Sequence, residues 1–174
     1  MRRRIVLSLC AVTLLSLAFR PDRAASQQSS IRDQIIGAWT LVSLVNERED
    51  GSKVDQFGPN PKGIIIFARE GYFSLFQSQA EVPKLAGSDR AKVTPDEAMA
   101  VVRAAIAYYG TYSVNEAEKI LSVRIEGSTF ANLAGGGEQK RIITSLTANE
   151  LKFTNPRTPN GSTLHTVWKR AQSP

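Results

Sequence analysis

The sequence predicts a mainly β chain folded as an antiparallel barrel of about eight or nine strands, with one embedded α-helix and a short N-terminal helix. Three observations predict it. Short runs rich in β-branched and aromatic residues recur from Ala38 to Arg170. Clusters of Gly, Pro, Asn and Asp divide them. Within that stretch the apolar period changes to a helical one only after Thr94-Pro95-Asp96-Glu97. A two-sheet sandwich is the alternative arrangement. A closed barrel of about eight strands is just wide enough to hold one small ligand.

The elements follow in order. Ser30 before Ile31–Ile36, with Gly37 behind, reads as a capped short helix. Strands are expected over Ala38–Glu47, Lys53–Phe57, Gly63–Ala68 and Tyr72–Ser78, the last two joined by a hairpin at Glu70-Gly71. Thr94 as cap, Pro95 at the first position and Glu97 three residues on open a helix. Ala98, Val101, Val102, Ala105, Ile106 and Tyr109 continue it, and Gly110 closes it. Further strands are expected over Thr111–Val114, Lys119–Glu126, Glu138–Leu146, Glu150–Thr154 and Ser162–Arg170. The segment Gln79–Val93 is long enough for a lid or an irregular loop.

The first 26 residues read differently. Arg2, Arg3 and Arg4 precede the uncharged apolar run Ile5–Phe19, and small residues Ala24 and Ser26 follow. This is the layout of a secretory signal peptide cleaved near Ser26. Fifteen helical residues would span about 22 Å, short of a ~30 Å bilayer core, which argues against a stable membrane anchor. Leu9 is too bulky for the small residue that precedes a lipidated cysteine, and the residues after the arginines fit a twin-arginine signal poorly. The expected location is therefore periplasmic or secreted, by the general route.

Removing that segment changes the charge argument. The chain carries 22 Lys+Arg and 16 Asp+Glu. Residues 1–26 hold five arginines and one aspartate, leaving a small positive balance in the rest. The basic pI thus gives no reason to expect nucleic-acid binding. Cys10, the single cysteine, falls in the signal, so no disulfide or thiol chemistry is expected of the domain at residues 31–170.

Several segments resemble the bacterial lipocalin-like domain family. Gly37-Ala38-Trp39 is similar to its Gly-x-Trp opening, and Phe57–Gly63 to its second-turn motif. Thr94–Glu97 followed by Tyr108-Tyr109-Gly110-Thr111-Tyr112 resembles its helix-to-strand passage. Glu138–Arg141 and Val167–Arg170 complete the order, so the likeness spans Ile31–Arg170. Departures at Arg124, at Ala131 before Asn132 and at Gly136-Gly137 surround one hairpin. The resemblance implies a calyx for a hydrophobic molecule, with a cyclase or isomerase role as the alternative. It also implies that Trp39 closes the barrel floor beneath Arg170, a cation–π contact of ~0.5–2 kcal/mol.

The candidate ligand-binding residues are Tyr72, Phe76, Tyr112, Arg124, Glu126, Gln139, Arg141 and His165. Tyr72, Ser74 and Phe76 share one strand face, and Phe73, Leu75 and Gln77 the other. Either face suits a mostly apolar guest, or ordinary core. Arg124 with Glu126, and Gln139 with Arg141, share faces of neighbouring strands. Inside a barrel Glu126 would pair one arginine and leave the other for a ligand carboxylate or carbonyl; outside, the set is a solvated cross-strand ion pair. His165 is the single histidine, so no metal site is expected, and a satisfied strand histidine is the simpler role. No cofactor and no catalytic residue is assigned, because nucleophile-elbow, phosphate-loop and dinucleotide motifs are absent.

Three functions remain open at this level. The first is an exported binder of a small hydrophobic or amphipathic molecule. The second is an isomerase, cyclase or hydrolase using Arg141, Glu126, Tyr112 or His165, which must converge. The third is an envelope interaction protein built on a solid barrel with an exposed apolar patch. Oligomeric state is not legible.

Overall fold

The computed structural model describes residues 29–156, 158 and 161–172. The expected signal segment 1–26, with Cys10, lies outside the described residues. A first helix, α1 (Ile31–Ile35), is capped by the Ser30 side chain, which accepts from the Asp33 amide. Nine strands follow: β1 (Gly37–Glu47), β2 (Lys53–Asp55), β3 (Lys62–Phe67), β4 (Tyr72–Ser78), β5 (Ala105–Asn115), β6 (Ile120–Ser128), β7 (Glu138–Leu146), β8 (Glu150–Asn155) and β9 (Thr163–Arg170). The helix α2 (Pro95–Ala104) lies between β4 and β5.

Each strand pairs antiparallel with its neighbour in the order β2-β1-β3-β4-β5-β6-β7-β8-β9, and β1 also pairs with β9. That last pairing, from Trp39↔Arg170 to Glu47↔Thr163, closes eight strands into a barrel and leaves β2 as a short appendage on β1. Closure disposes of the two-sheet sandwich. It also removes the free edges that an open sheet exposes.

Period-two burial explains why these residues sit as they do. Phe73, Leu75 and Gln77 point inward from β4, Leu121, Val123 and Ile125 from β6, and Leu151 and Phe153 from β8. They meet Trp39, Leu41, Leu44, Ile65, Phe67 and Trp168 in one continuous core. Bulges between Leu41 and Ser43, Tyr109 and Gly110, and Ile143 and Ser145 bend three of the strands around it.

The two ends differ. At one end α1 lies across the barrel, and Glu116 accepts from the Ile31 and Arg32 amides at 2.8 and 3.0 Å. Trp39 donates to the Ile35 carbonyl at 2.8 Å. The Arg170 guanidinium carbon stands 4.0 Å from the centroid of the Trp39 ring. At the other end lie the connections 48–61, 79–104 and 129–137.

The embedded helix is shorter than the expectation. It stops at Ala104, and Ala105–Gly110, expected as its last turns and stop, are the first residues of β5. The physical reason is competition between two periods. Ile106, Tyr108, Gly110 and Tyr112 also alternate, and pairing of Ala105–Thr111 with Tyr72–Ser78 rewards the extended form. Gly110 is thus a strand residue beside a bulge, not a helix stop. A Cβ there would lie 1.9 Å from the Arg124 carbonyl oxygen, so the close approach of β5 to β6 requires glycine.

Candidate functional site

Alternation and register decide which candidate residues can meet a guest inside the barrel. Tyr72 and Phe76 alternate with buried Phe73, Leu75 and Gln77, and therefore point outward; Tyr72 is 57% exposed. Arg124 and Glu126 alternate with Val123 and Ile125 and are likewise outward and exposed. His165 also faces out, between the inward Leu164 and Thr166. Its Nε2 lies 3.1 Å from Glu47 Oε2 and its Nδ1 3.2 Å from Thr154 Oγ1. The Lys53 ammonium beside Glu47, with a smaller effect from His165, holds the Glu47 carboxyl below the usual glutamate range. These five residues are corrected as interior contacts, because a strand's parity puts them on the wrong side of the wall.

Tyr112, Gln139 and Arg141 point inward. Tyr112 is committed to the closed end: its hydroxyl donates to the Ala68 carbonyl at 2.8 Å, and its ring meets Phe67 edge-on. Burial pushes its pKa up. Gln139 is half-buried near the start of β7. Arg141 is only 3% exposed. Its Nη2 donates to the Tyr108 hydroxyl at 3.3 Å, while its Nη1 is buried with no partner. Glu126 cannot serve it from the opposite face, and no ion pair among the described residues includes Arg141.

Tyr108 is the site residue that sequence reasoning missed, because Tyr108 was assigned to a helix. Its alternation with Ile106 and Gly110 was the available signal. The Tyr108 ring packs edge-on against Phe73 at 6.0 Å between centroids. Partly buried apolar residues lie towards both ends of the barrel. Trp39, Leu121, Leu151 and Trp168 are wholly buried; Ile106, Tyr108, Leu133 and Leu164 are partly buried at the loop end, and Ile31, Val114 and Leu146 at the α1 end. Arg141 and Tyr108 lie between the apolar floor and the loop-end mouth.

Above that mouth, Glu97 ties the 79–104 connection together. Its carboxylate accepts from the Ala86 amide at 2.7 Å and from the Thr94 amide and hydroxyl at 2.9 and 2.8 Å. The Ala86 amide, then Thr94, holds this carboxyl below its usual range. Met99 and Val102 of α2 are left exposed.

The outer wall has its own relief. A shallow groove of about 490 Å³ is lined by Ile66, Ala68, Tyr72, Phe73, Ser74, Tyr109 and Gly110. Among the described residues no cluster of three or more His, Cys, Asp or Glu side chains could hold a metal ion. Nor is any described helix long and apolar enough to cross a membrane. Arg141, Glu126, Tyr112 and His165 do not converge, since two face outward and Tyr112 is engaged at the floor.

Comparisons with known proteins bear on the architecture. The model of a lipocalin-like domain matches residues 36–171. A crystal structure of a lipocalin-like protein from Bacteroides uniformis is 14% identical, with a TM-score of 0.42, and the match covers 79% of this chain and 99% of that one. A deswapped triple mutant of bovine odorant binding protein is also 14% identical, with a TM-score of 0.40, covering 80% and 76%. No curated protein matches the chain. The barrel rests on its own strand pairing.

Proposed function

Because the chain belongs to the lipocalin-like domain family, we propose that its barrel binds one small, mainly apolar molecule entering from the loop end. The observation that supports this is the closed eight-strand barrel, covered by α1 at one end and bounded by loops at the other. Trp39, Arg170 and Ile35 lie at the α1 end, and Ile106, Tyr108, Leu133 and Leu164 line the loop end. Sites of this kind are concave, mostly apolar and carry a few polar groups that fix orientation. Arg141 and Gln139 are such groups. Residues 1–26 act in this reading as an export signal, so the barrel works in the periplasm or outside the cell.

Titration of the full chain with 1-aminoanthracene, a neutral apolar fluorophore, tests the binding. Saturable uptake of one equivalent is expected, displaced by other apolar molecules. Non-saturable partitioning would defeat it. Mass measurement of protein recovered from the cell envelope or medium tests export, with a new N-terminus near Gln27 as the expected result.

A second reading draws on the outer wall, where Ile64, Ile66, Tyr72, Phe76 and Tyr109 are exposed on adjacent strands. Such a stripe suits a protein partner. Sedimentation of the full chain with its cell-envelope extract, and loss of any complex on Ile66→Glu, tests that reading.

A further inference from the structure

Charge divides the outer wall of the barrel in two. β6, β7 and β8 each direct two charged side chains outward: Arg124 and Glu126, Glu138 and Lys140, Glu150 and Lys152. The neighbouring strands β3, β4 and β5 together hold one charged residue, Lys62, at the loop-end edge. Their outward positions carry Ile64, Ile66, Tyr72, Phe76 and Tyr109, each 38–57% exposed. Resting on the outer-wall reading, we infer that the partner of this face is a second copy of the chain, the two walls packing against each other about a two-fold axis.

The face carries both halves of a contact that fits itself. Register sets Ser74 between Ile66 and Tyr109, a small residue flanked by two large ones. That notch forms the base of the 490 Å³ groove. Gly127 fixes its far wall. A Cβ at Gly127 would lie 2.5 Å from the Tyr109 ring, so the ring leans over β6 and leaves Ser74 uncovered. Two residues along β4, roughly 7 Å further on, Phe76 stands out as a knob. A two-fold axis passing between Ser74 and Phe76 seats each Phe76 in the groove of the other copy. That reciprocal exchange is what an isologous contact requires.

Charge and area select this occupant. A charged surface would lose its hydration against these side chains with nothing to pair it. The partner face must therefore be uncharged, and every copy of the chain brings such a face. Lys62, Arg69, Glu70, Arg124 and Glu126 frame it with both signs of charge, so the rims of two copies can pair rather than repel. The five apolar side chains leave on the order of 500 Å² in water, at the upper end of what a monomer exposes in one patch. Two copies thus cover about 1,000 Å², the lower bound for a specific interface, which fits a reversible dimer.

Sedimentation equilibrium of the full chain from about 1 to 200 μM tests this, with a rise from one chain mass to two and a Kd on the order of 10 μM expected. Each substitution enters the interface twice. Ile66→Glu should therefore weaken the dimer about a hundredfold and Phe76→Ala about tenfold, while Ile142→Glu, on the charged wall, should stay within about threefold of wild type. Circular dichroism checks folding; if Ile66→Glu does not fold, Ser74→Trp, which fills the groove, reads the same contact. A dimer unmoved by these face variants overturns the inference and assigns association elsewhere, the apolar run Ile5–Phe19 included. A wild type that remains a single chain at the highest concentration also overturns it. In that case an envelope-extract complex lost in Ile66→Glu leaves the outer-wall reading standing with a different partner. Capture of the single chain by phosphatidylethanolamine–phosphatidylglycerol vesicles makes the occupant a lipid surface, and the absence of any complex removes both readings.

Discussion

Arg170, near the end of the described chain, and Trp39, near its beginning, form one unit. The guanidinium lies over the indole and donates to three carbonyls, those of Gln34, Ile36 and Ala148, at 2.6, 3.0 and 2.6 Å. A single planar cation therefore fixes α1, the start of β1, and the β7–β8 turn. Replacing it by alanine strands three acceptors and uncovers the ring. Arg170→Ala should cost about 2–4 kcal/mol in urea unfolding. Arg170→Lys, which cannot reach all three carbonyls, should recover less than half. Equal stability of the lysine variant and wild type would contradict the fork as the cause.

Gly110 should tolerate no side chain. With the Arg124 carbonyl oxygen 1.9 Å from a built Cβ, Gly110→Ala must separate β5 from β6 at the bulge. A loss of roughly 3 kcal/mol or more is expected, at the upper range of single substitutions. By contrast, Gly136→Ala sits in open space apart from a 3.8 Å contact, and should change the denaturation midpoint little.

The Glu97 clasp predicts a pH response near the mouth. Its carboxyl titrates below the usual glutamate range because the ionised form accepts from Ala86 and Thr94. A depressed folded pKa contributes order that is complete above the unfolded value, about 4.3, and is lost as pH falls through the lower folded value. The Ala86 amide resonance should therefore shift with an inflection below about pH 4.3. Glu97→Gln should flatten that curve. An inflection unchanged in Glu97→Gln would assign it to another group.

Outward residues should be silent in guest binding. Tyr72→Ala, Phe76→Ala, Arg124→Ala, Glu126→Ala and His165→Ala are each expected to leave 1-aminoanthracene affinity within about twofold, because a strand wall separates them from the interior. Loss of binding in Tyr72→Ala would instead place the fluorophore in the outer groove beside Tyr109.

Local signals in the sequence carried most of the fold. The runs at Tyr72–Ser78 and Glu138–Leu146 match the observed strands, since β-branched residues and flanking turns act over a few positions. Ala105–Gly110 was misread because alanine, isoleucine and tyrosine there satisfy both periods, and only pairing with β4 chooses. The site was legible in residue type but not in direction. Arg141 and Glu126 looked like partners; register puts them on opposite faces. Parity depends on long-range register and on three bulges, neither of which is written locally.

The seam between β1 and β9 sets the timing of assembly. Trp39 and Arg170 are 131 residues apart, yet their strands must meet before the wall is complete. Such distant pairing is entropically slow, and no earlier segment substitutes for it. A nascent chain lacking Thr163–Arg170 would hold β1 and β8 as adhesive borders, open to stacking against other molecules. Folding is thereby deferred until the whole polypeptide is available, and truncation within β9 should yield aggregates rather than a smaller working barrel.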